Sequence, residues 1–145
     1  PYLIITDEMT HALTLAAKRG VDVRIITPGI PDKKQIYNIT RSFYHGLVKD
    51  GVRIYEWTPG FCHAKMSVAD DCMATCGTIN LDYRSLYHHF ENGCFMTDCD
   101  AVLDIRNDLE ATMKECREVT EKYRTGRSAY LRLGQLFMRL FAGLL

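Results

Sequence analysis

The chain has 145 residues, 47% apolar and 25% charged, which excludes an intrinsically disordered segment and allows one globular domain with a real core. Its formal net charge is zero. That weighs against a nucleic-acid partner, whose phosphates usually call for a basic balance, although a local basic patch is still compatible with it. No run of about 18 apolar residues is present, and no signal peptide. The opening "PYLIIT", without Met, reads as a strand of a longer polypeptide cut upstream.

Residues 2–6 predict a short buried strand. Asp7 then caps a helix through about Arg19, with Met9, Ala12, Leu13, Ala16 and Ala17 on one face and Gly20 as its stop. Residues 21–27 alternate and predict the next strand, and the strand–helix–strand order predicts that these two strands pair in parallel. Asp32 caps a second helix with Ile36, Thr40, Phe43, Tyr44 and Leu47 inward, and Gly51 ends it. A third strand covers 52–57, followed by a turn at 58–60. Residues 63–70 and 72–78 read as two strands joined by a tight turn at Asp70-Asp71, and 91–98 as another strand. A helix from about Asp100 carries Val102, Ile105, Leu109, Met113 and Cys116 inward, and a last helix runs from about Ser128 to Leu144. The pattern predicts an α/β fold, a mixed β-sheet flanked by helices, in a single domain over 1–145.

Six cysteines, at 62, 72, 76, 94, 99 and 116, form no CxxC pair, and no second His cluster completes a zinc site. They read as buried free thiols in a reducing compartment.

The polar residues of 63–80 stand out within an apolar run, where polar groups are costly unless paired or used. Alternation on a strand puts His63 and Lys65 on one face, whereas Asp70 points the other way or sits in the turn. A turn centred on Asp70-Asp71 would place His63 beside Thr78 and Lys65 beside Cys76, with Asn80 following Thr78 on the same face. An imidazole, an ammonium, a hydroxyl and an amide so grouped suit a phosphate. Lys65 supplies charge, Thr78 and Asn80 donate hydrogen bonds, and His63 attacks phosphorus or moves a proton. No carboxylate cluster offers a metal site, which favours metal-free phosphoryl chemistry. A lone His-x-Lys would instead read as a satisfied histidine and a snorkelling lysine on a strand edge.

The full spacing, His63-x-Lys65-x4-Asp70-x6-Gly77-Thr78-x-Asn80, resembles the HKD motif of the phospholipase D superfamily in every fixed position. The blocks "PYLIITDEM", "RGVDVRIITPGIPDKK", "GVRIYEWTPGFCHAK" and "GTINLDYRSLYHHFENG" are similar to successive blocks of the second catalytic half of bacterial cardiolipin synthases, over nearly the whole chain. The resemblance implies that His63 is the nucleophile of a phosphatidyl-histidine intermediate or the general acid for the leaving alcohol. It implies that Lys65 and Asn80 bind phosphate oxygens, that Thr78 supports them, that Glu91 orients the imidazole, and that Asp70 is the third named member, in a structural role. The implied reaction transfers a phosphatidyl group between two phosphatidylglycerols and needs no cofactor and no metal. The site takes two HKD copies, and only one is here, so a missing N-terminal half of the same chain or a second copy would complete it. The expected setting is the bacterial cell membrane, with the catalytic domain on the cytoplasmic side, a lipid surface as partner, and no nucleic acid. Two other readings compete with this one: a phosphodiesterase or nuclease acting as a dimer of single-motif chains, and a non-catalytic half.

Weaker signals remain. Asp82 and Arg84 read as a pair bracing the loop or as head-group contacts, and His88 and His89 as structural. Tyr44 and Tyr55 suit the core, and Trp57 and Phe61 a lipid groove. The closing helix suits either the membrane interface or packing on the sheet.

Overall fold

The structure, a computed structural model, describes residues 2–125 and Phe137. In chain order the elements are β1 (Leu3–Ile4), α1 (Asp7–Lys18), β2 (Arg24–Pro28), α2 (Lys34–Lys49), β3 (Arg53–Trp57), β4 (Met66–Ala69), β5 (Met73–Gly77), β6 (Leu81–Asp82), a π-helical turn (Arg84–His88), β7 (Gly93–Thr97), α3 (Asp100–Glu115), β8 (Arg117–Glu118) and α4 (Thr120–Thr125). The α/β class and the main strands and helices follow the sequence pattern. The predicted closing helix lies outside the described residues.

Both early helix caps differ from expectation. Thr6, not Asp7, caps α1, its hydroxyl accepting from the Met9 N–H at 3.2 Å. Asp7 and Glu8 occupy the first turn, where acidic side chains suit the positive end of the helix. Lys33 holds the cap position of α2, while Asp32 accepts from the Lys33 N–H at 2.7 Å and from the Tyr2 hydroxyl at 2.5 Å. On α1, Met9, Leu13 and Ala17 pack inward but Ala12 is exposed; the buried Thr14 bonds back to the Thr10 carbonyl at 2.9 Å.

Strands β2 and β3 pair in parallel, with β8 antiparallel on the far side of β3. The expected pairing of the first strand with β2 is not made. β1 lies parallel to β6 instead, Leu3 opposite Leu81 and Ile4 opposite Asp82. Strands β4, β5 and β7 form a separate antiparallel meander.

The core gathers on α2 and β3. Tyr44, Leu47, Val52 and Ile54 are wholly out of solvent, joined by Leu3, Ile5, Phe43, Val48, Val119 and Tyr123. The Tyr44 hydroxyl meets Thr27 Oγ1 at 2.6 Å, and burial pushes its pKa above the ordinary tyrosine value. Glu56 is fully buried on β3 between two guanidinium groups, Arg41 at 2.5 Å and Arg117 at 2.7 Å. A buried carboxylate survives only with such partners. Along α3, Val102 is buried, Ile105, Leu109 and Met113 are half-buried, and Cys116 lies just past the helix end.

Candidate active site

The hairpin that carries the motif turns at Asp70 and Asp71, both in the left-handed region at φ 50° and 57°. Aspartate tolerates that conformation better than most residues, and paired left-handed residues match the twist of a hairpin. Ala69 pairs with Met73, so Cys72 adds a third residue between the strands, its N–H bonded to the Ala69 carbonyl at 3.2 Å. That extra residue shifts the register by one from the expected pairing. Met66 opposes Cys76, and Lys65 lies beside Gly77, whose N–H donates to the Lys65 carbonyl at 3.1 Å. The expected neighbours, Lys65 beside Cys76 and His63 beside Thr78, are therefore not paired: Cys76 lies opposite Met66, and the Thr78 N–H bonds to the Asn92 carbonyl at 2.8 Å.

Gly77 cannot be anything larger. A Cβ there would stand 2.3 Å from the Asn92 carbonyl oxygen and 2.6 Å from the Gly93 Cα, both backbone. The glycine lets β7 approach and brings Thr78 against Glu91-Asn92. Thr78 Oγ1 donates to Glu91 and accepts from the Asn92 N–H at 3.0 Å.

His63 and Lys65 precede β4 in a segment without regular secondary structure rather than lying on the strand itself. They nevertheless meet. The Lys65 ammonium lies 3.1 Å from His63 Nδ1, 3.0 Å from Nε2 and 2.8 Å from the His63 carbonyl. An ammonium can donate to an imidazole only at a ring nitrogen with a free lone pair, which is the form a nucleophile needs. His63 is exposed, and the Phe61 ring stands 5.8 Å from the imidazole. Lys65 is half-buried. Partial burial lowers its pKa from the usual lysine value, against the charges of Glu91 and Asp82, which raise it.

Glu91 accepts from Thr78 and Ser85 and lies 4.0 Å from His89 Nδ1. Those hydrogen bonds hold its carboxyl below the usual glutamate range. The contact from Glu91 to His63 that the resemblance implies is not made here; Glu91 reaches the site through the field it exerts on Lys65. Asn80 borders the same large cavity as Lys65, and its buried Oδ1 has no hydrogen-bond partner. Asp70 sits in the hairpin turn, five residues along the strand from Lys65, a run of about 16 Å at about 3.3 Å per residue. It cannot touch a phosphate held by Lys65.

Sequence reasoning missed Ser85 as a Glu91 partner. The signal was present, since Asp82-x-x-Ser85 is a helix-cap spacing, and the Asp82 carboxylate accepts from the Ser85 N–H at 2.7 Å. That bond braces the turn in which Ser85 sits. The π-type bond from the His89 N–H to the Arg84 carbonyl, 2.9 Å, closes the turn. Tyr44 and Tyr55 are core residues, while Phe61 is exposed and Trp57 half-exposed. All six cysteines are free; Cys76, Cys94 and Cys99 are exposed and the others half-buried, so the expected burial is not found. Cys76 and Cys94 lie opposite one another on the meander, which is open on much of its surface. Among the described residues no cluster of His, Cys, Asp and Glu could hold a metal ion, and no helix is long and apolar enough to cross a membrane.

Residues 1–113 match the family model "Cardiolipin synthase, PLD-like domain". Over all 145 residues the chain is 50% identical to an uncharacterized Streptococcus mutans protein, covering 32% of it. It is 34% identical to cardiolipin synthase 2 of Bacillus cereus and 37% identical to a cardiolipin synthase of Clostridium perfringens, covering 28% and 30% of them. The chain thus spans less than a third of the length of the curated relatives it matches. Among solved structures, Nuc of Salmonella typhimurium, a phospholipase D family member, superimposes with a TM-score of 0.70 at 17% identity, over 81% of this chain and 76% of that one. The fold is that of the phospholipase D family, and the chain belongs to the cardiolipin synthase, PLD-like domain family.

Proposed function

We propose that this chain supplies one half of the active site of a phosphatidyltransferase that makes cardiolipin from two phosphatidylglycerols. The observation that carries the reading is the contact between the Lys65 ammonium and both ring nitrogens of an exposed His63. A phosphate entering there would take over the lysine's donors and meet an imidazole whose lone pair is free.

Two histidines share the work, His63 and its counterpart from a second HKD half. One attacks phosphorus, forming the P–N bond as the bond to the glycerol oxygen breaks. The other delivers a proton to that oxygen, and glycerol leaves. The second histidine then takes the proton from the hydroxyl of another phosphatidylglycerol, whose oxygen displaces the first histidine and yields cardiolipin. Lys65 balances charge on the phosphate oxygens, and Asn80 offers its amide. Thr78 and Ser85 fix Glu91, which supports the charge of Lys65. Asp70 keeps the hairpin turn.

The exposed apolar side chains near the motif support a lipid substrate or a covering half. Phe61, Ile79, Tyr87 and Phe90 are all more than 40% exposed. Such patches are uncommon on a surface that stays in water. The enzyme would work at the bacterial membrane surface, on the cytoplasmic side.

Product analysis with the full-length protein on phosphatidylglycerol vesicles tests this. Cardiolipin and glycerol in equal amounts are expected. Phosphatidic acid alone would indicate a hydrolase. Cleavage of DNA with no lipid product would favour a nuclease working as a dimer of single-motif chains.

A further inference from the structure

A cavity of about 900 Å³ lies between the two larger sheets. That is room for on the order of thirty waters, far more than packing defects leave in a protein interior. It runs along every residue from Val21 to Thr27 on the β2 side and every residue from Ala64 to Asp71 on the β4 side. It continues beneath α3, where Leu109 and Met113 border it.

Hydrogen-bond parity shows what faces this gap. On β2, the Val23 carbonyl accepts from the Arg53 N–H, and the Gly29 N–H donates to the Trp57 carbonyl. Odd-numbered residues of β2 therefore face β3, and the backbone groups of Arg24 and Ile26 face away from it. On β4, the Lys65 carbonyl accepts from the Gly77 N–H, so the odd-numbered residues face β5. The N–H and C=O of Met66 and Val68 then point the other way. Among the described residues, β2 has β3 on one side only, and β4 has β5 on one side only. Two open strand edges thus border one cavity, each with alternating donors and acceptors. A lipid chain or a small ligand would leave those groups unsatisfied, whereas a strand pairs with both edges.

Topology names the strand. Helix α1 leads into β2, and a helix crossover of this kind joins neighbouring parallel strands by a right-handed connection. The strand before α1 belongs beside β2, yet β1 pairs with β6 and leaves that position vacant. Tyr2 and Leu3, at the start of the described residues, line the cavity wall. The curated relatives are more than three times the length of this chain, which gives proteins of this kind ample sequence outside these residues.

We infer that the cavity is a strand site: an apolar β-strand of about five residues, supplied by polypeptide upstream of Pro1, runs parallel to β2 and joins β2 and β4 into one sheet. Its insertion ties the segment carrying His63 and Lys65 to the packed half of the fold. The inference stands whether or not the reaction proposed above is correct.

Residue-resolved amide hydrogen exchange on the full-length protein tests it. The N–H groups of Arg24, Ile26, Met66 and Val68 are expected to exchange ~10³-fold or more slowly than an unpaired edge, because opening them means breaking the central sheet. Protection should be unchanged on a hundredfold dilution. Fast exchange at these four positions would overturn the inference. So would protection that vanishes on dilution, which would place a second copy in the gap.

Discussion

Around α2 and β3, Tyr44, Leu47, Val52 and Ile54 are sealed from solvent, and a buried glutamate is paired with two arginines. On β4, β5 and β7, only Ala74 is buried. The two regions are of one chain, yet one closes on itself and the other does not. The open region carries His63, Lys65, Thr78 and Glu91. On the proposed function this site admits a substrate and is shared with a second half, and such a site cannot be buried by its own half alone. The packed region holds the frame on which the open one is displayed.

Breaking the packed region should cost the most. Glu56→Ala leaves the Arg41 guanidinium without its carboxylate inside the fold, with Arg117, mostly exposed, contributing less. Loss of about 3–5 kcal/mol is expected, roughly 10 °C or more in Tm, read by calorimetry of the full-length protein.

The open region should show the reverse, a large effect on rate and a small one on stability. Lys65→Met is expected to lower the rate of cardiolipin formation about 10²–10³-fold, with Tm moving by only about 2 °C. The pH profile sharpens this. Burial lowers the pKa of Lys65, so its charge is lost as pH rises toward, and short of, the ordinary lysine value of about 10.4. An alkaline fall in rate should begin below that value in the parent protein.

A milder change probes the link between the strands and the site. Thr78→Val removes the hydroxyl that joins Glu91 to the Asn92 N–H. About tenfold in rate and about 1 kcal/mol in stability are expected, because these groups are solvent-accessible and water can replace part of what is lost. A last comparison, which touches neither rate nor stability, is between thiols. Burial pushes Cys116 up to about 11, while Cys76 and Cys94 are exposed on the open sheet of this chain. Cys116 should alkylate more slowly at pH 8, roughly a hundredfold against an ordinary exposed thiol, measured by mass spectrometry.

Much of this was readable from residue order. The motif spacing pointed to the site because six fixed positions leave little room for accident, and the helices announced themselves by their periodicity. What was not readable depended on choices between near-equal neighbours. Thr6 and Asp7 can each cap α1, and only the backbone decides. The hairpin turn was evident at Asp70-Asp71, but the extra Cys72 in it, and so the register that sets Lys65 beside Gly77, follows from the left-handed φ angles and not from composition. The partner of β1 is not legible locally, because pairing is decided by residues distant in sequence; Leu81 and Asp82 take the place expected of β2. The role implied for Glu91 met a different geometry, because Thr78 and Ser85 reach its carboxylate first.

The central claim is that His63 does chemistry and does not hold the fold. Replacing it with alanine in the full-length protein, and measuring cardiolipin formation and Tm on the same preparation, tests that claim most directly. A rate loss of at least about 10³-fold is expected, as for other enzymes stripped of a nucleophile or acid–base group, with Tm within about 2 °C of the parent. A rate within tenfold of the parent, with the protein folded, would contradict it.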